Sequence, residues 1–240
     1  MFERYAEFVM GYAKREFWPY FQAHRKEFDE VMRNHLFQKD GPKILNDSDP
    51  ADRSATVLRA VFYGFMEIRA SLDALKDIAV YIASFHYDGS RITRTRYLSY
   101  HIENYWGEVY LLRERLLSYA TTIARLRKGR SGGRAAVAAA GRAKQAVEID
   151  LKPVLDERGS HVHVRRYTSE DLKRLMTWEM LAAESPEARP VFESELNATT
   201  LNYQRLVEFG NQRISKLVNG YFEQIGPYIF DEDGIMNVPI

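Results

Sequence analysis

Apolar residues recur along this chain with the period of an α-helix almost from end to end. The clearest run is Leu98, Ile102, Tyr105, Val109, Leu112, Leu116, Tyr119 and Ile123, spaced alternately four and three residues apart. That spacing puts one continuous apolar seam on a helix, so it predicts a long helix beginning near Ser90, central to a bundle or part of a helix-mediated dimer. The bundle is favoured, because flanking helical segments of the same chain can cover the seam.

The remaining elements follow from pattern and punctuation. Residues 2 to about 38 carry an aromatic-rich helical pattern, which Pro19 should kink or split because it removes a helix hydrogen bond. "KDGPKILNDSDP" is a loop of turn formers. Asp49 reads as an N-cap with Pro50 in the first helical position, opening a helix to about Ser84 that "HYDGS" ends. After the seam, "RLRKGRSGGR" predicts a flexible basic loop. "AAVAAAGRAKQAVEIDLKPVL" resumes a helix on alanine propensity, with a kink near Pro153. Thr168, three residues before Asp171, resembles a capping box and opens a helix carrying Leu172, Leu175, Met176 and Met180. "ESPEARP" breaks again, a last helix runs from about Val191 to Phe222, and the tail "FDEDGIMNVPI" reads as irregular. The expectation is an all-α helical bundle forming a single domain over residues 1–240. No repeat of 20–50 residues, strand–helix alternation, GxGxxG or P-loop pattern argues for a solenoid or a nucleotide-binding α/β fold.

Composition adds three constraints. Hydrophobic residues make up 45% of the 240 and charged residues 28%, enough for a sizeable core. Cysteine is absent, which excludes disulfides, thiolate metal sites and a cysteine nucleophile, and suits a reducing compartment. Glu3, Arg4 and Glu7 stand where a signal peptide needs an apolar run, and no stretch reaches the roughly 18 apolar residues of a membrane span. A soluble cytoplasmic protein with no membrane partner is expected. The net charge of +1 conceals a segregation: residues 91–174 hold 18 basic against 9 acidic residues, and the rest of the chain holds the other 16 basic and 24 acidic ones. Such a balance suits a basic face toward an anion such as nucleic acid, or a neutralisation of one part by the other within the fold.

The densest polar stretch is "ERGSHVHVRRY", residues 157–167. Arg158 carries a planar, permanently charged fork suited to a phosphate, and His163 titrates near neutral pH and can take or give a proton. Together they suffice for metal-free RNA cleavage. The histidine acts on the ribose 2′-OH or the leaving 5′-oxygen, and the arginine offsets charge on the scissile phosphate. The Arg-x4–6-His pattern between two helices resembles the HEPN superfamily. "RTRYLSYHIENYWGEVYLLRERLLSY" is similar to the long central helix of one bacterial HEPN branch, and "LKPVLDERGSHVHVRRYTSEDLKRLMTWEML" to its motif region and following helix. The resemblance covers about residues 90–182 as a HEPN-like core with extra N- and C-terminal helices.

That family includes RNases, toxins and non-catalytic binding modules. The resemblance therefore implies a metal-independent endoribonuclease forming 2′,3′-cyclic phosphate ends, of the toxin or defence kind, with Arg158 as motif arginine and His163 as motif histidine. Its implied partners are a second copy of the chain, with two motifs facing across the dimer, an RNA or nucleotide, and an antitoxin; no cofactor is implied. The other reading is a non-catalytic HEPN-like module that binds nucleotide, RNA or a protein partner. Gly159 departs from the family, which usually places a polar residue, most often asparagine, after the arginine.

Neighbouring residues have sharp and plain readings side by side. His161 is a supporting candidate, and His161 with His163 has a metal-ligand spacing in an extended segment. A zinc site needs a third ligand, however, and the spacing of His24, His35, His86 and His101 selects none; hydrogen-bonded loop histidines are the plainer reading. Glu103 and Arg96 lie seven apart on the central helix and could orient Arg158 or His163, or form an ordinary surface pair. His101 reads as a partly buried, hydrogen-bonded histidine. Arg165 and Arg166, with Arg127, Lys128 and Arg130 of the basic loop, are candidates for the RNA backbone, or a solvated basic surface. Only Tyr167 lies near for base stacking.

Overall fold

The computed structural model describes residues 1–23, 50–85, 91–162 and 169–237. Among them the chain is all-α. The helices are α1 (Phe2–Ala23), α2 (Pro50–Ala83), α3 (Arg94–Arg127), α4 (Gly133–Val162), α5 (Glu170–Glu184) and α6 (Arg189–Ile225). Short 3₁₀ turns at Pro186–Ala188 and Gly226–Tyr228 flank α6. Helix α1 continues through Pro19 to Ala23, and α4 through Pro153 to Val162, so neither proline splits its helix. Asp49 lies outside the described residues, and Pro50 is the first helical residue of α2, as its fixed φ suits.

All eight seam residues of α3 are buried, from Leu98 to Ile123. They are divided between two compact units. The first draws on Met1–Glu67, Ser118–Ala143 and Asn219–Ile240; the second on Ile68–Leu117 and Lys144–Val218.

In the first unit an aromatic cluster fills the centre. Tyr5 packs against Phe222 at 4.5 Å and Phe65 at 5.6 Å between ring centroids. Its hydroxyl shares a 2.7 Å hydrogen bond with Tyr119, which donates to the Val61 carbonyl at 3.1 Å. Gly64 makes room for the Tyr119 ring, since a Cβ there would stand 2.5 Å from it. Ala136, Ala139, Ala140 and Ala143 give α4 a buried face of small side chains, so the alanine run serves packing as well as propensity.

Two segments of this unit differ from expectation. "RLRKGRSGGR" is a tight hydrogen-bonded turn: Lys128, Arg130 and Gly133 each donate a backbone N–H three residues back. Gly129 and Gly132 supply φ of 76° and 69°, conformations costly for other residues. The tail is likewise built. Phe230 and Met236 form an antiparallel bridge, and Asp231 Oδ1 accepts the N–H groups of Asp233 and Ile235 at 3.0 and 2.8 Å. Phe230 packs on Tyr5 and Phe8 of α1, and Arg4 donates to the Glu232 carbonyl at 2.8 Å.

In the second unit Ile68, Leu75, Ile78 and Ile82 of α2 are buried, as are Leu172 and Leu175 of α5 and Leu196, Val207 and Ile214 of α6. Gly210 of α6 accommodates the Tyr105 hydroxyl, which a Cβ there would strike. Buried Ser71 donates to Glu108 at 2.6 Å, and Arg115 reaches both, Glu108 at 3.0 Å. Helix α5 begins one residue later than the capping box suggests. Its N-cap is Ser169, whose hydroxyl accepts from the Leu172 N–H at 3.1 Å and shares a 2.6 Å hydrogen bond with Tyr203. Thr168 lies outside the described residues. Met176 and Met180 are 49% and 72% exposed rather than buried, because α5 hides only the narrow stripe of Leu172, Leu175 and Ala182.

Candidate functional site

The Arg158 motif begins inside a helix. Residues 157–162 belong to α4, so Arg158, Gly159 and His161 have helical backbone. His161 is therefore not in an extended segment, and it stands one helical turn after Arg158 in backbone register. His163, Arg165, Arg166 and Tyr167 lie outside the described residues, and the chain re-enters at the Ser169 cap.

The other candidates fall in two places. Arg127, Lys128 and Arg130 share the α3–α4 turn of the first unit. Arg127 is engaged there: its guanidinium donates to the carbonyls of Asn237 at 2.6 Å and Ser131 at 2.9 Å, tying tail to turn. Lys128 and Arg130 are exposed, as are Arg125, Arg134 and Arg142, and no acidic residue occurs in Ser118–Ala143. The turn and the start of α4 therefore form a run of exposed basic side chains with no carboxylate in the same stretch.

Arg96 and Glu103 lie on α3 in the second unit. Arg96 is exposed, and its backbone N–H donates to Thr93 Oγ1 at 3.2 Å. Glu103 faces a cleft of ≈ 560 Å³ between α2 and α3. Tyr81 enters this cleft from α2; Tyr100, His101, Asn104, Gly107 and Glu108 line it from α3. The His101 ring is surrounded by Tyr97 at 4.3 Å, Tyr81 at 5.2 Å and Tyr100 at 5.4 Å. Its Nδ1 is buried without a hydrogen-bond partner among the described residues, where a hydrogen-bonded histidine was expected. Burial lowers the His101 pKa below its ordinary 6.5, so the ring is uncharged at neutral pH. Glu108 is held by Ser71 and Arg115, whereas Glu103 has no ion-pair partner among the described residues.

The sequence singled out Glu103 and His101 but not their grouping with Tyr81 and Tyr100, yet a signal was present. Tyr100, Asn104, Gly107 and Leu111 repeat at four, three and four residues, a second stripe beside the seam. A glycine in the middle of a long helix is the irregular member of that stripe. No family model, curated protein or solved structure matches this chain.

Proposed function

We propose that this chain is a metal-independent endoribonuclease of the HEPN type. His163 takes the proton from the ribose 2′-OH, the 2′-oxygen attacks the phosphorus, and the 5′-oxygen leaves as it gains a proton. The products are a 2′,3′-cyclic phosphate and a 5′-hydroxyl end. Arg158 binds the phosphate and offsets its growing charge. The observation that carries this reading is the frame around the motif. Arg158 stands in the last turns of α4, the long α3 with its buried seam precedes it, and the capped α5 follows. The family resemblance sets the pair between two helices, and here Arg158 itself lies within α4. The basic α3–α4 turn supports an RNA partner through charge. The assembly that goes with this reading is a homodimer.

Gly159 supports a second reading, a non-catalytic module of the same type that binds nucleotide, RNA or a protein partner. It removes the polar side chain expected beside Arg158. The test is incubation of mixed RNA with the purified protein in EDTA, alongside Arg158→Ala and His163→Ala. Under the RNase reading the wild type cleaves, leaves cyclic phosphate ends, and loses at least about a hundredfold in rate on either substitution. Wild-type turnover no higher than that of the variants sinks it, and RNA retained uncut on a filter then favours the module.

A further inference from the structure

The cleft between α2 and α3 carries an inference independent of the RNase reading. Its walls are the exposed rings of Tyr81 and Tyr100, 48% and 59% accessible, placed on either element beside the uncharged His101. Its one carboxylate without an ion-pair partner among the described residues is Glu103. Asn104 adds an amide to the same wall. Aromatic faces attract cations through the negative charge of the ring surface, and a nearby carboxylate adds Coulomb attraction. The same carboxylate repels phosphates, so the cleft is unsuited to an anionic group.

Gly107 is the second observation. Glycine in a helix interior costs about 0.5–1 kcal/mol relative to alanine, and a packing neighbour normally explains it. Gly64 and Gly210 have such neighbours in Tyr119 and Tyr105. At Gly107, as at Gly141 and Gly220, a Cβ would meet nothing within 4 Å, so packing within the fold does not require the glycine; Gly107 differs from those two in lining the cleft. It leaves part of the cleft wall bare backbone, where a ligand can lie close.

We infer that this cleft binds the guanidinium group of an arginine-like ligand, stacked on Tyr100 and paired with Glu103 one turn along the same helix, its aliphatic stem over Gly107. A guanidinium is preferred to an ammonium because it is planar, weakly hydrated, and matches both an aromatic face and the two oxygens of a carboxylate. The group belongs either to a protein side chain or to a small free guanidine, and the two sources are separable.

The experiment is ligand-observed saturation-transfer NMR on the full chain with N-acetyl-arginine amide, agmatine and the neutral N-acetyl-norleucine amide. At least one guanidine gives saturable transfer and the neutral compound gives none. Preference for the capped arginine assigns a protein side chain; preference for agmatine assigns a free small molecule. Glu103→Gln and Tyr100→Leu each weaken binding by about fivefold, the scale of one exposed cation–π or charge contact. Gly107→Leu abolishes binding while Gly107→Ala retains it, with circular dichroism confirming that each variant is folded. Equal transfer to the neutral compound, no saturable signal from either guanidine at millimolar concentration, or affinity unchanged in both Glu103→Gln and Tyr100→Leu overturns the assignment.

Discussion

At the scale of single residues, three glycines in helices behave differently because their surroundings do. Gly64→Ala sets a methyl against the Tyr119 ring, and Gly210→Ala sets one against the Tyr105 hydroxyl. Both rings are buried and held from several sides, so neither can swing away. Each substitution should cost about 1–3 kcal/mol by overpacking, read as a lower midpoint in urea denaturation. Gly107→Ala has open space and helical φ, and should instead stabilise by about 0.5–1 kcal/mol. His101 makes a prediction about pH. Its folded pKa lies below the unfolded value of 6.5, so its contribution is complete above that value and is lost as the pH falls through the folded one. Thermal midpoints measured from about pH 7.5 to about pH 5.5 should fall less in His101→Phe than in wild type.

At the scale of elements, much was legible. The α3 seam was readable because a helix buried along its whole length repeats its apolar positions at every turn, and no loop intervenes to shift the register. The breaks at "RLRKGRSGGR" and "ESPEARP" were readable from turn chemistry, but not the hydrogen-bonded form of the first. Its order comes from glycines at positive φ and from Arg127, whose tail partner Asn237 is distant in sequence. The tail was missed for the same reason: Phe230 is fixed by α1, more than two hundred residues away. The cap of α5 lies one position later than the pattern suggested, at Ser169, which caps the Leu172 N–H and also has a partner, Tyr203, that local pattern does not reveal. Ser169→Ala should therefore cost about 1 kcal/mol for the lost cap. Ser169→Asp should recover most of it, since aspartate caps equally well and its carboxylate can accept from the Tyr203 hydroxyl; the urea midpoints of the three proteins check this order.

At the scale of the whole molecule, part of the basic run seen in sequence is exposed. The turn and first half of α4 expose Lys128, Arg130, Arg134 and Arg142 with no carboxylate in the intervening chain. If RNA lies there, its affinity falls as salt rises, and Lys128→Gln combined with Arg134→Gln should flatten the log–log salt dependence by about 0.7 per lost contact on a single strand. An unchanged slope would place the RNA elsewhere. The Arg158 pairing was legible only as resemblance. Spacing singled out two residues, of which Arg158 lies in α4 and His163 lies outside the described residues. Among the described residues no helix is long and apolar enough to cross a membrane. The tyrosine cluster of the first unit has one more consequence. Burial raises the pKa values of Tyr5, Tyr119 and Tyr221 well above the ordinary 10, and that of Tyr105 in the second unit to about 12. The stability these phenols contribute is complete below pH 10 and drains away as alkali rises toward their folded values. Phenolate absorbance should therefore climb in two stages, exposed rings first, the buried set only as its packing opens. The protein thus contains its own optical gauge of core integrity, readable in a spectrophotometer without label or denaturant.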